Sequence, residues 1–177
     1  MNLTISNRDA FTKYFVAVLV RAMKDEASQL PDLMTALVLE NMHDGRNPNP
    51  NARNTTDRVY ERQGGLKRSL VPGGRGNTTK VTAGTNGINF EFSVNTVVAS
   101  VHEHGATIPI TPQMRKFFWA KYAETSADMW RALALTKKAS ITIPPRPFFS
   151  KAIKELESVE LPEIVEQIFQ RMSAYLQ

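Results

Sequence analysis

Few residues in this chain are of types that do chemistry. His102-Glu103-His104 sits in a mostly apolar stretch. In a strand, His102 and His104 would project to the same side, as a metal site wants. A zinc site needs three or four ligands, though, and the only other histidine is His43, with no cysteine to help. The helical His-Glu-x-x-His pattern is missing, so no metal ligands are expected. Pro72 to Lys80 has the glycine content of a phosphate cradle. The phosphate loop needs Gly-Lys-Ser/Thr, whereas Lys80 follows Thr79 and precedes Val81, so a mobile hairpin loop is the expectation. There is no Gly-x-Ser-x-Gly elbow, and the carboxylates show no pairing suited to acid–base work. The sequence makes no case for catalytic residues, a cofactor or an enzyme.

Charge is the stronger signal. Of a net +5, the segment from Gly45 to Lys80 holds eight cations (Arg46, Arg53, Arg58, Arg62, Lys67, Arg68, Arg75, Lys80) against Asp57 and Glu61. That segment is therefore +6 and the remainder −1. The plain reading is a solvated loop with incidental charge. The functional reading is contact with phosphates through charge and not sequence, because Tyr60 is the segment's only aromatic. The candidates for that contact are Arg53, Arg58, Arg62, Lys67, Arg68, Arg75 and Lys80. Arg58, Arg62 and Lys67 could instead meet acids of a neighbouring subunit.

The elements that would position these residues can be read from patterning. With 177 residues, 42% apolar and 22% charged, the chain has enough for one domain with a real core. The absence of cysteine excludes disulfides and thiolate metal sites. The longest apolar run, Tyr14 to Val20, is too short to cross a bilayer and is bracketed by Lys13 and Arg21, so no membrane partner is expected. No signal-peptide pattern opens the chain.

Ser6 to Asp9 suits a helix start, and Phe11, Tyr14, Phe15, Val18, Leu19 and Ala22 form an amphipathic stripe expected to face the core. Pro31 opens a second helix carrying Leu33, Leu37 and Met42, and Asp44-Gly45 ends it. Arg46 to Thr56 is expected to be a loop or arm, Arg58 to Leu70 a short helix interrupted at Gly64-Gly65, and Val71 to Thr79 a flexible loop or hairpin tip. Lys80 to Ala83 and Ile88 to Val94 flank Gly84-Thr85-Asn86-Gly87, a hairpin signal, and Ile88, Phe90, Phe92 and Val94 alternate with polar residues. Asn95 to His104 reads as a short helix or turn.

Thr111 can cap a helix from Pro112 that carries Met114, Phe117, Phe118 and Tyr122. Trp130 to Leu135 is taken as a strand, with Lys137-Lys138 as the turn and Ser140 to Ile143 as its antiparallel partner. Pro144-Pro145-Arg146-Pro147 is stiff and aims Phe148 and Phe149 in a fixed direction. A helix follows through Ala152, Ile153 and Leu156. Leu161-Pro162 restarts a last helix with Ile164, Val165, Ile168, Phe169, Met172 and Tyr175 on one side. The expected architecture is α+β in a single domain over 1–177. It comprises helices over 8–43, a basic arm over 45–80, a sheet and insertion over 80–143 and helices over 148–176, so that terminal helices pack on a small antiparallel sheet between long mobile loops. Phe117, Phe118, Trp119 and Trp130 exceed what one helix needs for its own core. Most are expected inside, and the remainder are candidates for a subunit interface, along with Arg146, Phe148 and Phe149.

Four pieces together resemble the phage virion morphogenesis proteins of the Mu-like tail-completion kind. They are His102-Glu103-His104-Gly105, Thr111-Pro112-Gln113-Met114-Arg115-Lys116-Phe117-Phe118-Trp119, Ile143-Pro144-Pro145-Arg146-Pro147-Phe148, and Gly64-Gly65-Leu66-Lys67-Arg68-Ser69-Leu70. The likeness covers about Tyr60 to Ile153. It implies a structural virion protein of the neck, at the head–tail interface of a tailed phage or prophage, that assembles in the host cytoplasm. It further implies a homo-oligomer ring, a hexamer by the likeness, which meets the tail tube or terminator protein on one side and the connector or adaptor on the other. In such a ring the basic residues would face a lumen through which genomic DNA passes. A tail terminator capping the tube is the neighbouring alternative. A stand-alone nucleic-acid-binding module using the basic segment is an alternative of another class.

Overall fold

The computed structural model describes residues 8–42, 59 and 65–177. His43, Arg46, Arg53, Arg58, Tyr60 and Arg62 lie outside the described residues, as do the loop expected over Arg46 to Thr56 and the stop expected at Asp44-Gly45. The architecture is α+β, with two separate two-stranded antiparallel sheets and the helices around them among the described residues.

The body is helices packed on a hairpin. Helix α1 (Arg8–Ala27) and helix α2 (Leu30–Glu40) are followed by the short helix α3 (Gly65–Leu70) and by β1 (Asn77–Gly84) and β2 (Gly87–Val94). β1 and β2 pair from Asn77↔Val94 to Gly84↔Gly87, with the two-residue loop Thr85-Asn86 where the Asn-Gly signal lies. Ile88, Phe90, Phe92 and Val94 turn toward the helices while Asn89, Glu91 and Ser93 are exposed. Near the C-terminus come α7 (Phe148–Glu155), a π-helical turn (Leu156–Glu160) and α8 (Leu161–Tyr175). Pro162 has no N–H and crowds the carbonyl four residues back, and the wider turn before it keeps the chain helical where a restart was expected. α8 runs antiparallel to α1. The buried Glu26 carboxylate accepts from the Arg171 guanidinium, Gln29 bonds Gln167 at 3.3 Å, and the Arg21 guanidinium lies 4.3 Å from the centre of the Tyr175 ring. Leu30, Met34, Val38, Met42, Val59, Leu70, Phe148 and Ala152 are at the centre of the core.

Two expectations for this body need correcting. Of the α1 stripe, Val18 and Ala22 are buried and Leu19 half-buried, but Phe11, Tyr14 and Phe15 are exposed. These three lie where α8 ends, and the Tyr14 hydroxyl donates to the carbonyl of Tyr175, the last residue of α8, at 3.5 Å. The glycine-rich stretch after Leu70 is a built turn and not a free tip. Gly74 N–H donates to Val71 O and Asn77 N–H to Gly74 O, each at 2.9 Å, and Asn95 N–H donates to Gly76 O at 2.7 Å. A Cβ on Gly74 would lie 2.2 Å from the Arg68 carbonyl oxygen, so only glycine lets the chain pass so close to α3. β1 accordingly begins at Asn77, inside the expected loop.

The second unit is an arm. Helix α4 (Val97–His104), capped by Thr96 Oγ1 accepting from Ala99 N–H at 3.2 Å, leads into β3 (Ala106–Pro109). Helices α5 (Pro112–Thr125) and α6 (Asp128–Leu135) follow, then β4 (Ser140–Ile143) returns antiparallel to β3, from Ala106↔Ile143 to Pro109↔Ser140. Trp130 to Leu135 is therefore helical, not a strand, and the partner of Ser140–Ile143 is β3. The residues explain it. Trp130, Leu133 and Ala134 recur at helical spacing, with Trp130 and Ala134 against α5, and the run is rich in the good helix formers alanine and leucine. No residue between Ala106 and Ile143 belongs to the body's apolar core. Among the described residues, no helix is long and apolar enough to cross a membrane.

Candidate functional site

Helix α7 starts with Pro147 at its cap position, a residue that offers no side-chain acceptor to the free N–H groups of the first turn. The acceptor comes from 46 residues upstream. The Glu103 carboxylate, at the end of α4, takes Phe149 N–H on Oε2 and Ser150 N–H on Oε1, both at 2.9 Å, and also takes the Ser150 hydroxyl. A negative group at a helix N-terminus also meets the positive end of the helix dipole. Two more ties lie alongside. Arg146 N–H donates to His102 O at 2.7 Å, and Gly105 has φ +74°, where an added Cβ would sit 2.9 Å from Ile143 O and from Pro145 N. The His-Glu-His-Gly segment and the proline block are thus two halves of one joint, from which the β3–β4 stalk leaves the body.

His102 is half-buried in this joint, and its Nδ1 is buried without a hydrogen-bond partner. Burial first, and the Arg146 charge second, lower its pKa below the ordinary 6.5. The folded protein therefore holds His102 neutral, while the unfolded chain takes up its proton as pH falls through 6.5. Stability is unaffected by this group above that pH and declines below it, until the lowered folded pKa is passed. Urea unfolding at about pH 7.5 and 5.5 should show a larger loss at the lower pH in the native chain than in His102→Gln. Equal losses would show that the imidazole titrates alike in both states. His104 is exposed, and the two imidazoles are two residues apart on a helix, not on one side of a strand. Among the described residues, no group of three or more histidines and carboxylates could hold a metal ion.

The tip of the arm has its own small core. Phe118 is 5% exposed and stacks on Trp130 at 6.0 Å between centroids, with Phe117 edge-on to both. Thr111 caps α5 by accepting from Met114 N–H at 3.2 Å, as expected. The Arg115 guanidinium reaches across to the C-terminal end of α6, donating to Ala134 O at 3.0 Å and to Thr136 O. A cation on the free carbonyls of a helix end satisfies acceptors and opposes the dipole together. Phe117 remains 50% exposed, Trp119 42% and Leu135 58%.

The interface candidates divide accordingly. Phe118, Arg146 and Phe148 are buried within the chain, at 5%, 6% and 2% exposure, so they hold the fold and are not available to a partner. Phe149 is half-buried and stacked on Phe92 at 5.8 Å. Phe117 and Trp119 are the two that face outward. Of the basic candidates, Arg68 on α3, Arg75 in the turn and Lys80 on β1 opposite Glu91 are exposed, Lys67 is half-buried, and Arg53, Arg58 and Arg62 lie outside the described residues. Sequence reasoning missed Glu103 as a cap and Arg115 as a clamp. The signal for Glu103 was a helix opening after proline with no capping residue of its own. Arg115 gave no local signal, because its partners are backbone carbonyls.

Comparison of the chain with family models, curated proteins and solved structures finds no match.

Proposed function

We propose that this chain is a structural neck protein of a tailed phage or prophage, a tail-completion or head–tail joining component that works as a ring of identical copies. It would lie between the connector and the tail and leave a passage for DNA. The observation that supports this reading is convergence. Two of the pieces that carry the resemblance, His102 to Gly105 and Ile143 to Phe148, interlock through Glu103, Gly105 and Arg146. A third, Thr111 to Trp119, builds the arm that this joint aims. A protein that acts by fitting between other subunits needs its projecting parts held at set angles, and heterologous contacts close into a ring only when that angle is right.

The test is native mass spectrometry of the purified chain, alone and with the tail tube and connector proteins encoded near it. The expected result is a ring mass, formed alone or on the tube, and failure to join either partner would contradict the proposal. Capping of tube ends by the chain without connector would place it as a terminator. The charge of +6 between Gly45 and Lys80 favours a second reading, DNA binding by the monomer. That reading expects an affinity that falls steeply with salt and is lost on neutralising Arg58, Arg62, Lys67 and Arg68.

A further inference from the structure

The body carries an apolar groove of about 580 Å³ between the hairpin and the C-terminal helices, walled by Phe90, Phe92, Phe149, Leu161, Val165 and Ile168. On α8 the groove opens onto an exposed apolar stripe. Leu161, Val165 and Phe169, four residues apart, are 36%, 50% and 58% exposed. Glu157 lines the groove, and the stretch around it from Glu155 to Glu166 has five glutamates (Glu155, Glu157, Glu160, Glu163, Glu166) and no cation, with Lys151 and Lys154 preceding it on α7. All are exposed except the half-buried Glu160.

The arm is the complementary object. Between Ala106 and Ile143 it holds six cations (Arg115, Lys116, Lys121, Arg131, Lys137, Lys138) against Glu124 and Asp128, a net +4. Helical spacing places Lys116, Ala120 and Ala123 in the outward arc of α5, with Phe117 at one margin and Trp119 at the other. The arc is thus small-sided in the middle and aromatic at both edges, with Lys116 and Glu124 both on it, and the arm's excess of cations lies in the exposed Arg131, Lys137 and Lys138.

We propose that the occupant of the groove is the arm of a second copy of this chain, with Phe117 and Trp119 on the apolar floor and Lys116 and Arg131 against the glutamate edge. The charges decide between the two ways in which copies could meet. Two α8 stripes face to face would bring two rows of glutamates together, and that juxtaposition is repulsive. Arm into groove pairs opposite signs, and because the two surfaces differ, the contact is head-to-tail and propagates around a ring. The inference rests on the ring reading only for the expectation that copies of the chain meet.

Sedimentation velocity of the full chain across a concentration series tests it, with circular dichroism to show that each variant folds. Lys116→Glu with Arg131→Glu should weaken self-association by about tenfold or more, as should Glu163→Lys with Glu166→Lys. The chain carrying all four changes, and an equimolar mixture of the two double variants, should associate again. Simple destabilisation would not be rescued in that way. A chain that stays monomeric at all concentrations overturns the inference, as does an assembly indifferent to both pairs of changes. An assembly broken by neutralising Lys67, Arg68, Arg75 and Lys80 but not by the arm changes would assign the groove edge to the basic segment, and also overturns it. The neck reading fails separately, if the chain joins neither tube nor connector.

Discussion

Phe148→Ala is expected to lower the stability of the isolated chain by about 3–5 kcal/mol, the cost of emptying a fully enclosed aromatic site. Phe148 is 2% exposed and belongs to the main apolar cluster with Leu30, Met34 and Ala152. Phe149→Ala should cost less, roughly 1–2 kcal/mol, because Phe149 is half-buried and loses chiefly its stacking on Phe92. Thermal unfolding at dilute concentration separates them. Phe148→Ala should melt roughly 10 °C lower, by the scaling for a domain of this length, with no dependence on protein concentration. Equal and small shifts would mean that the proline block aims neither ring into the core. The block's two phenylalanines thus serve the fold to different degrees, and the sequence, which shows only adjacent rings after prolines, does not distinguish them.

Glu103→Ala is expected to cost about 3 kcal/mol. A carboxylate that takes two backbone N–H groups and a hydroxyl at a helix N-terminus combines the value of a cap with that of charge-assisted hydrogen bonds. Glu103→Gln keeps an acceptor without the charge and should cost about half as much. Urea unfolding measures both. The order Ala worse than Gln worse than native is the signature of the cap, whereas a neutral Glu103→Ala would show that α7 needs no acceptor from α4. The two substitutions also differ in kind. Phe148 sustains the body, while Glu103 sustains the angle between the body and the arm, so partial loss of the cap should leave a folded chain with a looser arm.

Legibility in the sequence followed the range of the interactions. The β1–β2 hairpin was plain because its alternation and its Asn-Gly turn are local, and so was the Thr111 cap of α5. Trp130 to Leu135 was misread as a strand because six residues are too few to separate the two periods. What settles them is Phe118, reached from the neighbouring helix. The stripe on α1 was read correctly as a stripe and wrongly as wholly buried, since periodicity shows which residues share a face and not how far the neighbouring helix extends. Gly105 follows the stretch from Asn95 to His104 that was expected to be a short helix or turn. Its positive φ and the closeness of Pro145 show why a glycine ends that helix, and neither is visible in the sequence. Glu103 and Arg115 act on backbone groups 46 and about twenty residues away, and no side-chain pattern records such partners.

One joint, made by Glu103, Gly105 and the proline block, ties the arm to the body, and the proposed ring requires that it hold the arm at a fixed angle. The chain has no cysteine, so paired labels can be placed without background. Ala123→Cys on the arm and Asp32→Cys on α2 are both exposed positions, and a spin-label distance distribution between them reads the angle directly. A rigid joint gives one narrow distribution in the otherwise native chain, broadened when Glu103 is replaced by Gln while the body stays folded. A broad distribution in the native background, or one that Glu103→Gln leaves unchanged, would contradict it.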